Sequence, residues 1–183
     1  YFTTMNEQEA NDELGFARAV HDDNGLRFDS FVFPRNQVAR TDLLERYGVR
    51  VYRGTDHAWH QNVRNVNPLA GRAANLIDKL LPIAPQAIRP ERDGALINLP
   101  GSMLLLGRDG IRRLAPPGVM PTKLRRGMDR AATSGDVFHL WFHPSNFWHD
   151  SERQFATLDT FAARCAERAG RGELDLKTMA AFG

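Results

Sequence analysis

Residues 136–150 read DVFHLWFHPSNFWHD, and the rest of the chain is best interpreted from this stretch outward. Three of the six histidines and two of the three tryptophans of the 183-residue chain fall within it. A strand that only packs in a core does not require so many ring nitrogens and so much aromatic surface. We therefore expect this stretch to bind or transform a ligand.

The pattern of the stretch allows two secondary structures. As a strand it would have one apolar face and one aromatic and titratable face, the latter formed by His139, Trp141 and His143. As a helix it would bring His139 and His143 together at i and i+4, a spacing that helical metal pairs use. The run is short, rich in aromatic residues and closed by Pro144, which biases His143 towards an extended backbone. We therefore predict a strand over residues 137–143.

A second stretch has the same layout of an apolar strand, a proline and polar side chains. Residues 31–37 read FVFPRNQ, and they precede a short predicted helix over residues 41–47 that ends at Gly48. A strand over residues 49–53 follows. The order strand, helix, strand is typical of a βαβ unit with parallel strands and a right-handed crossover.

These patterns together predict an α/β fold. The remaining predicted elements are helices over residues 5–21, 69–81, 124–134 and 151–169, and strand material over residues 95–106 that is broken at Pro100-Gly101. We expect the strands at 28–33, 49–53 and 137–143 to be neighbours whose carboxyl ends form one rim, where α/β proteins bind ligands. In the last helix, the pattern predicts a buried stripe of Phe155, Leu158, Phe161 and Cys165.

Composition excludes several classes of protein. A hydrophobic content of 42% and the length of 183 residues indicate a single domain over residues 1–183 with a substantial core, and no apolar run is long enough for a transmembrane segment. Only Lys79, Lys123 and Lys177 among the 24 basic residues are lysines, and the arginines are spread along the chain, which argues against nucleic acid as a partner. The single cysteine, Cys165, can form no intrachain disulfide and indicates no compartment. The chain begins at Tyr1, so we expect upstream sequence.

Five short motifs follow one another in an order that is known from one family. They are FVFPRNQ at 31–37, YRG at 52–54, LPGS at 99–102, HLWFHPSN at 139–146 and TM at 178–179. In this order they resemble the later part of the NodB-type polysaccharide deacetylases of carbohydrate esterase family four. The resemblance covers nearly the whole chain, and it implies part of a distorted (β/α) barrel and the metal-assisted removal of acetyl groups from N-acetylated glycans.

The resemblance implies catalytic roles for three residues. The late histidine of the family is a general acid, and it matches His143. The arginine of a proline-containing motif matches Arg35, although in this chain the arginine follows the proline instead of preceding it. The pair that orients this arginine would correspond to Asp56 and Trp59.

Further residues would contact the substrate. Trp141 would pack against the acetyl methyl group, where the family usually has leucine. Asn36 and Asn146 belong to the two most specific motifs and, with Trp59, would bind the N-acetylated carbohydrate.

The resemblance also implies a divalent metal, most often zinc, in the intact family fold. The early strands of the family supply an aspartate base, an aspartate ligand and an H-x-x-x-H motif, and these are absent from this chain, so we assign no metal ligands to it. His139 and His143 would be about 13 Å apart on a strand at ~3.3 Å per residue, too far to share one ion. We therefore expect the chain alone to bind zinc weakly or not at all.

Alternatives stay open for the residues and for the whole chain. His143 could be a strand-end imidazole satisfied by backbone groups, Trp141 could be a core residue, and Arg35 and Asn36 could cap the helix that follows them. The chain could be the later part of an enzyme, or a non-catalytic module that binds a carbohydrate or depends on a partner and uses the same rim. An upstream Asp-Asp strand end and an H-x-x-x-H motif would favour the enzyme.

Overall fold

Parallel strands lie at the centre of two separate units of this chain. The structure is a computed structural model that describes residues 2–56 and 65–183, and about half of these residues are helical in a mixed α/β fold. The first unit consists of Tyr1–Asp56, Arg89–Pro100 and Lys177–Gly183, and the second of His57–Ile88 and Gly101–Leu176.

A four-stranded sheet forms the first unit. Its strands are β1 (Ser30–Val32), β2 (Val51–Arg53), β3 (Glu91–Asp93) and β4 (Leu96–Asn98). The strand order is β1-β2-β4-β3, in which β1, β2 and β4 are parallel and β3 is antiparallel to β4. A helix between β1 and β2 spans Thr41–Arg46, which confirms the predicted βαβ unit.

The first helix of the chain, α1, begins beside a reciprocal cap. It spans Glu7–Asp23, close to the predicted bounds, and the helix between β1 and β2 is α2. The Asn6 side chain accepts a hydrogen bond from the Glu9 N–H, and the Glu9 carboxylate accepts one from the Asn6 N–H. The apolar face of α1 buries Ala10 and Leu14, as its periodicity predicts.

Aromatic rings fill the core of the first unit. Phe33 is buried and meets the ring edges of Phe31 and Tyr52 at centroid distances of 5.0 and 5.7 Å. The Tyr52 hydroxyl donates to the Asp93 carboxylate at 2.8 Å, and so links β2 to β3 across the intervening strand. Burial and this hydrogen bond raise the pKa of Tyr52.

A two-stranded parallel sheet and three long helices lie in the described part of the second unit. The strands are β5 (Met103–Leu104) and β6 (Leu140–Trp141), and the helices are α3 (Pro68–Leu80), α4 (Val119–Ser134) and α5 (Ser151–Gly170). Met103, Leu105, Leu124 and Phe147 form the buried core. No helix in the described part of the chain is long and apolar enough to cross a membrane.

A buried lysine joins α4 to α3. Lys123 is 4% exposed, and its ammonium donates to the carboxylate and to the backbone carbonyl of Asp78, both at 2.7 Å. These two acceptors compensate the ammonium for the water that it loses on burial. On the same helix, Arg126 and Arg130 donate to backbone carbonyls of the proline-rich segment after α3. The three cations Lys123, Arg126 and Arg130 therefore connect α4 to α3 and to the segment that follows α3.

The prediction that the strand at 137–143 neighbours the strands at 28–33 and 49–53 is wrong. β6 pairs with β5 in a second sheet, and the strands at 28–33 and 49–53 pair only with members of the first. Residues 137–143 are extended, as predicted, but the paired part is short. Alternation along a strand determines its two faces and does not determine its partner. Both sheets are open, and the described residues form no closed barrel.

The predicted buried stripe of α5 is wrong at one position. Phe155 is 52% exposed, although its ring stacks on Phe147 at a centroid distance of 4.6 Å. Leu158 and Phe161 pack against the core, and Cys165 is buried as predicted. The buried stripe begins instead at Gln154, which is 3% exposed, and Phe155 is the next residue round the helix.

Gly127 in α4 lies against the ring of Phe138. A Cβ atom at this position would lie 2.4 Å from a ring carbon of Phe138, whose ring also contacts Phe161 edge-on. Alanine is usually better than glycine in a helix by about 1 kcal/mol. Overpacking should reverse this gain, since it costs about 1–3 kcal/mol. We expect Gly127→Ala to lower the free energy of unfolding in urea.

Gly170 at the end of α5 provides the matched control. A Cβ atom there would meet nothing within 4 Å, so Gly170→Ala should leave the free energy of unfolding unchanged or raise it. Equal stability of the two variants would contradict the close contact between α4 and residue 138.

Candidate functional site

The turn after β6 presents His143 to solvent. This strand ends at Trp141, and Pro144–Phe147 form a single 3-10 turn. The backbone N–H of His143 donates to Asn146 Oδ1 at 2.7 Å, and the Asn146 N–H donates back to the His143 carbonyl at 2.9 Å. The backbone of His143 is therefore held on both sides while its imidazole stays exposed.

Trp141 lies beside the imidazole. The two ring centroids are 5.4 Å apart and the ring planes are nearly perpendicular, at 88°. This contact confirms the predicted alternation, because residues two apart on an extended strand share a face. Trp141 is half-buried, so it is neither a full core residue nor an open platform. The indole therefore covers one side of the His143 ring in a favourable perpendicular contact.

A buried amide connects this turn to the loop after β5. Gln154 is 3% exposed, and its side-chain nitrogen donates to the carbonyls of Leu106 at 2.9 Å and Asn146 at 3.1 Å. A Cβ atom at Gly107 would lie only 3.2 Å from the Asn146 backbone, so the two segments pack closely. The loops that follow the two parallel strands are thus fixed against each other at their carboxyl ends.

His139 occupies a different position from His143. It is half-buried, and its backbone N–H donates to the Ser102 hydroxyl at 3.0 Å. The backbone N–H of Ser102 donates in turn to the His139 carbonyl at 2.9 Å. Ser102, in the LPGS motif, thereby aligns the segments that lead into β5 and β6. The backbone between the two histidines is extended, which rules out the helical metal pair.

Polar side chains also meet at the carboxyl ends of the strands in the first unit. Arg53, the last residue of β2, is 6% exposed, and its Nη2 donates to Asn36 Oδ1 at 2.8 Å. At the end of β4, Asn98 Oδ1 accepts a hydrogen bond from the Gly54 N–H at 3.0 Å. Burial lowers the pKa of the Arg53 guanidinium, and the Asp56 carboxylate opposes this change electrostatically.

The turn after β1 has an unusual backbone. Arg35 and Asn36 both adopt left-handed conformations, with φ of 57° and 55°. Asparagine tolerates this region, whereas for arginine it costs about 1 kcal/mol or more. The two residues do not cap the next helix, because α2 begins at Thr41 after Arg40. Asn36 instead binds Arg53, and Arg35 is exposed at the rim.

The structure therefore places the predicted residues in two groups. Asn36 and Asp56 lie around Arg53 in the first unit, while Trp141, His143 and Asn146 share one turn in the second. Trp59 lies outside the described residues. Arg53 and Gln154 are additional residues that the sequence did not single out, although a charged residue that ends an apolar strand before Gly54 was a usable signal for Arg53.

The described residues offer no ligand set for the metal that the resemblance implies. Within residues 2–56 and 65–183, no three His, Cys, Asp or Glu side chains come close enough together to hold an ion. The described residues therefore do not form a site that fits a divalent metal ion such as zinc.

Removal of the Asn36 side chain should destabilise the first unit. Asn36→Ala leaves the buried Arg53 guanidinium without one acceptor, which typically costs about 1–3 kcal/mol. Asn36→Asp keeps the acceptor and tolerates the left-handed backbone, so its loss should be smaller. Urea unfolding of both variants measures the difference. The same loss in both would show that the hydrogen bond to Arg53 contributes little.

Removal of the Asn146 side chain should loosen His143. Asn146→Ala deletes the acceptor of the His143 N–H, and capping side chains of this kind contribute about 0.5–2 kcal/mol. We expect faster amide hydrogen exchange at His143 in this variant. Asn146→Asp retains the acceptor and should exchange at nearly the wild-type rate. Unchanged protection in Asn146→Ala would mean that other contacts hold the turn.

Comparison with known proteins yields no relative for this chain. No protein-family model, curated protein or solved structure matches it. The resemblance to polysaccharide deacetylases thus rests on the five motifs and their order.

Proposed function

We propose that this chain is the later part of a hydrolase that removes N-acetyl groups from a bacterial polysaccharide or a glycan precursor. One observation supports the proposal above all others. An exposed imidazole, His143, lies at the carboxyl end of a parallel strand, with its backbone held by Asn146 and one side of its ring covered by Trp141. We also propose that the complete enzyme has the distorted (β/α) barrel of the NodB-type deacetylases.

The chemistry of deacetylation explains why these residues are needed. Hydrolysis of an acetamide requires a polarised carbonyl, an activated water and a proton for the leaving amine. In our proposal, His143 donates this proton as the C–N bond breaks. Trp141 forms an apolar wall for the acetyl methyl group and excludes water from one side of the imidazole.

A divalent ion, when bound, would polarise the carbonyl and activate the water. The described residues do not provide its ligands, so these two tasks are not assigned to residues of this chain. We propose that other parts of the enzyme supply the ligands. The contribution of this chain is the proton donor and part of the substrate wall.

The rim of the first unit is a further candidate surface for substrate. Asn36 is held in place by Arg53, and Arg35 extends from the same turn. Arg53 would act as a positioning residue there, since it is buried and reaches the substrate only through Asn36. Asp56 would act through the same guanidinium, to which it is attracted.

A second candidate function is a non-catalytic carbohydrate-binding module. The observation in its favour is the exposed aromatic surface beside the turn, since Trp148 is 80% exposed and Phe142 is also exposed. Sugar rings stack on such surfaces without any chemistry. A module of this kind would bind glycans equally well with or without the His143 imidazole.

Replacement of His143 separates the two functions. In the complete protein that contains this chain, His143→Ala should lower the rate of deacetylation of an N-acetylated oligosaccharide by about 10²–10⁴-fold, the usual contribution of a positioned general acid. The loss should fall on kcat more than on KM, because the proton is transferred only in the transition state.

Ser145→Ala is the matched control for this experiment. Ser145 is an exposed neighbour in the same turn and contributes only its backbone carbonyl to the turn. The deacetylation rate of Ser145→Ala should therefore stay within a factor of a few of the wild-type rate. Activity of His143→Ala near that of the wild type would make His143 structural and direct the search for the proton donor to His139 or Asp56. Glycan binding without deacetylation in the complete wild-type protein would favour the module.

A further inference from the structure

A basic cavity lies in the second unit, in the same loops that hold His143. It has a volume of about 310 Å³ and is lined by Arg108, Arg113, His149 and Asp150. This volume lies at the lower end of the range for ligand pockets, about 300–1,000 Å³.

The cavity is tied to the His143 turn by direct contacts. Gly107, the residue before Arg108, packs against the backbone of Asn146. The Asn146 side chain holds the backbone of His143, and Gln154 donates to the carbonyls of both loops. A group bound at Arg108 therefore lies on the loop that contacts the His143 turn.

The charges around the cavity do not cancel. The Arg108 guanidinium binds the Asp150 carboxylate at 2.9 Å, which fixes these two side chains against each other. Arg113 donates its Nε–H to the Arg108 carbonyl at 3.3 Å and forms no ion pair with any residue that the structure describes. Asp150 also lies 3.7 Å from Arg153, and Asp109, the carboxylate that interacts with His149, forms its own ion pair with Arg112 at 2.8 Å, so neither carboxylate pairs with Arg113.

We infer that the substrate is an acidic glycan whose carboxylate or phosphate group binds this cavity through Arg113. The inference rests on the proposed function and adds the class of substrate. A guanidinium offers two parallel N–H donors that match the oxygens of a carboxylate or a phosphate. A neutral N-acetylated glycan offers only uncharged hydroxyl and amide groups to this site, so it does not neutralise the positive charge.

The test compares acidic and neutral glycans that all carry N-acetyl groups. The acidic probes are a hyaluronan tetrasaccharide, which alternates N-acetylglucosamine with glucuronate, and N-acetylglucosamine 1-phosphate. Their neutral counterparts are a chitin tetrasaccharide and N-acetylglucosamine. Binding to the complete protein is measured by calorimetry at low and high salt. At least one acidic probe should bind more tightly than its neutral counterpart by about 3–10-fold, as expected for one charge-assisted contact at a partly exposed site, and salt should reduce this advantage. The probe with the larger advantage identifies the carboxylate or the phosphate as the recognised group.

Two variants with the same change in net charge locate the effect. Arg113→Gln should remove the preference for the acidic probe, because it deletes the cation without an ion-pair partner. Arg164→Gln, at an exposed arginine of α5 that does not line the cavity, should retain the preference. Circular dichroism of both variants confirms that they fold.

The outcomes separate this inference from the proposed function. Equal binding of acidic and neutral glycans, with deacetylation that depends on His143, would overturn the inference and leave the function standing. Equal effects of Arg113→Gln and Arg164→Gln would also overturn it, since the preference would then reflect overall charge. Failure of every probe to bind would count against both.

Discussion

Parallel pairing is the constraint on which both units depend. When two strands run in the same direction, their carboxyl ends lie at one edge, and the loops that leave them must meet there. In the first unit this edge brings Asn36 to Arg53 and Asn98 to Gly54. In the second unit it brings the loop after β5 to the turn after β6, where Gln154 donates to both. The polar residues of each unit are therefore neighbours because of strand direction, although they are distant in sequence.

The exposure of His143 has an energetic meaning for the proposed chemistry. An imidazole in open solvent interacts weakly with nearby charges, because water screens them. Trp141 covers one side of the ring only, and a bound glycan would have to cover the remainder. In such a site the substrate itself completes the dry environment that strengthens proton transfer. The turn after β6 suits this arrangement, because the protein fixes the position of the His143 imidazole and a bound glycan would exclude water from it.

Local patterns in the sequence predicted local structure well. The βαβ unit, the helices after Asn67 and Asp150, and the shared face of Trp141 and His143 all follow from short-range periodicity and turn residues. The partner of β6 did not follow, because alternation says nothing about which strand lies alongside. Arg53 and Gln154 were missed for a similar reason. Polar residues are mostly exposed, and their burial depends on acceptors that only the folded chain brings near.

The buried Lys123 offers a way to monitor the second unit in solution. The chain has only three lysines, and an amine-reactive reagent modifies an ammonium only when its amine is accessible and can lose its proton. Lys177 is exposed, whereas Lys123 is enclosed and bound to both acceptors of Asp78. Modification of Lys123 therefore requires α4 to separate from α3, while the exposed Lys177, whose ammonium lies over the Phe182 ring, provides a reference that does not depend on this helix pair. The ratio of the two labels, read by mass spectrometry, is a chemical footprint of how often this helix pair opens.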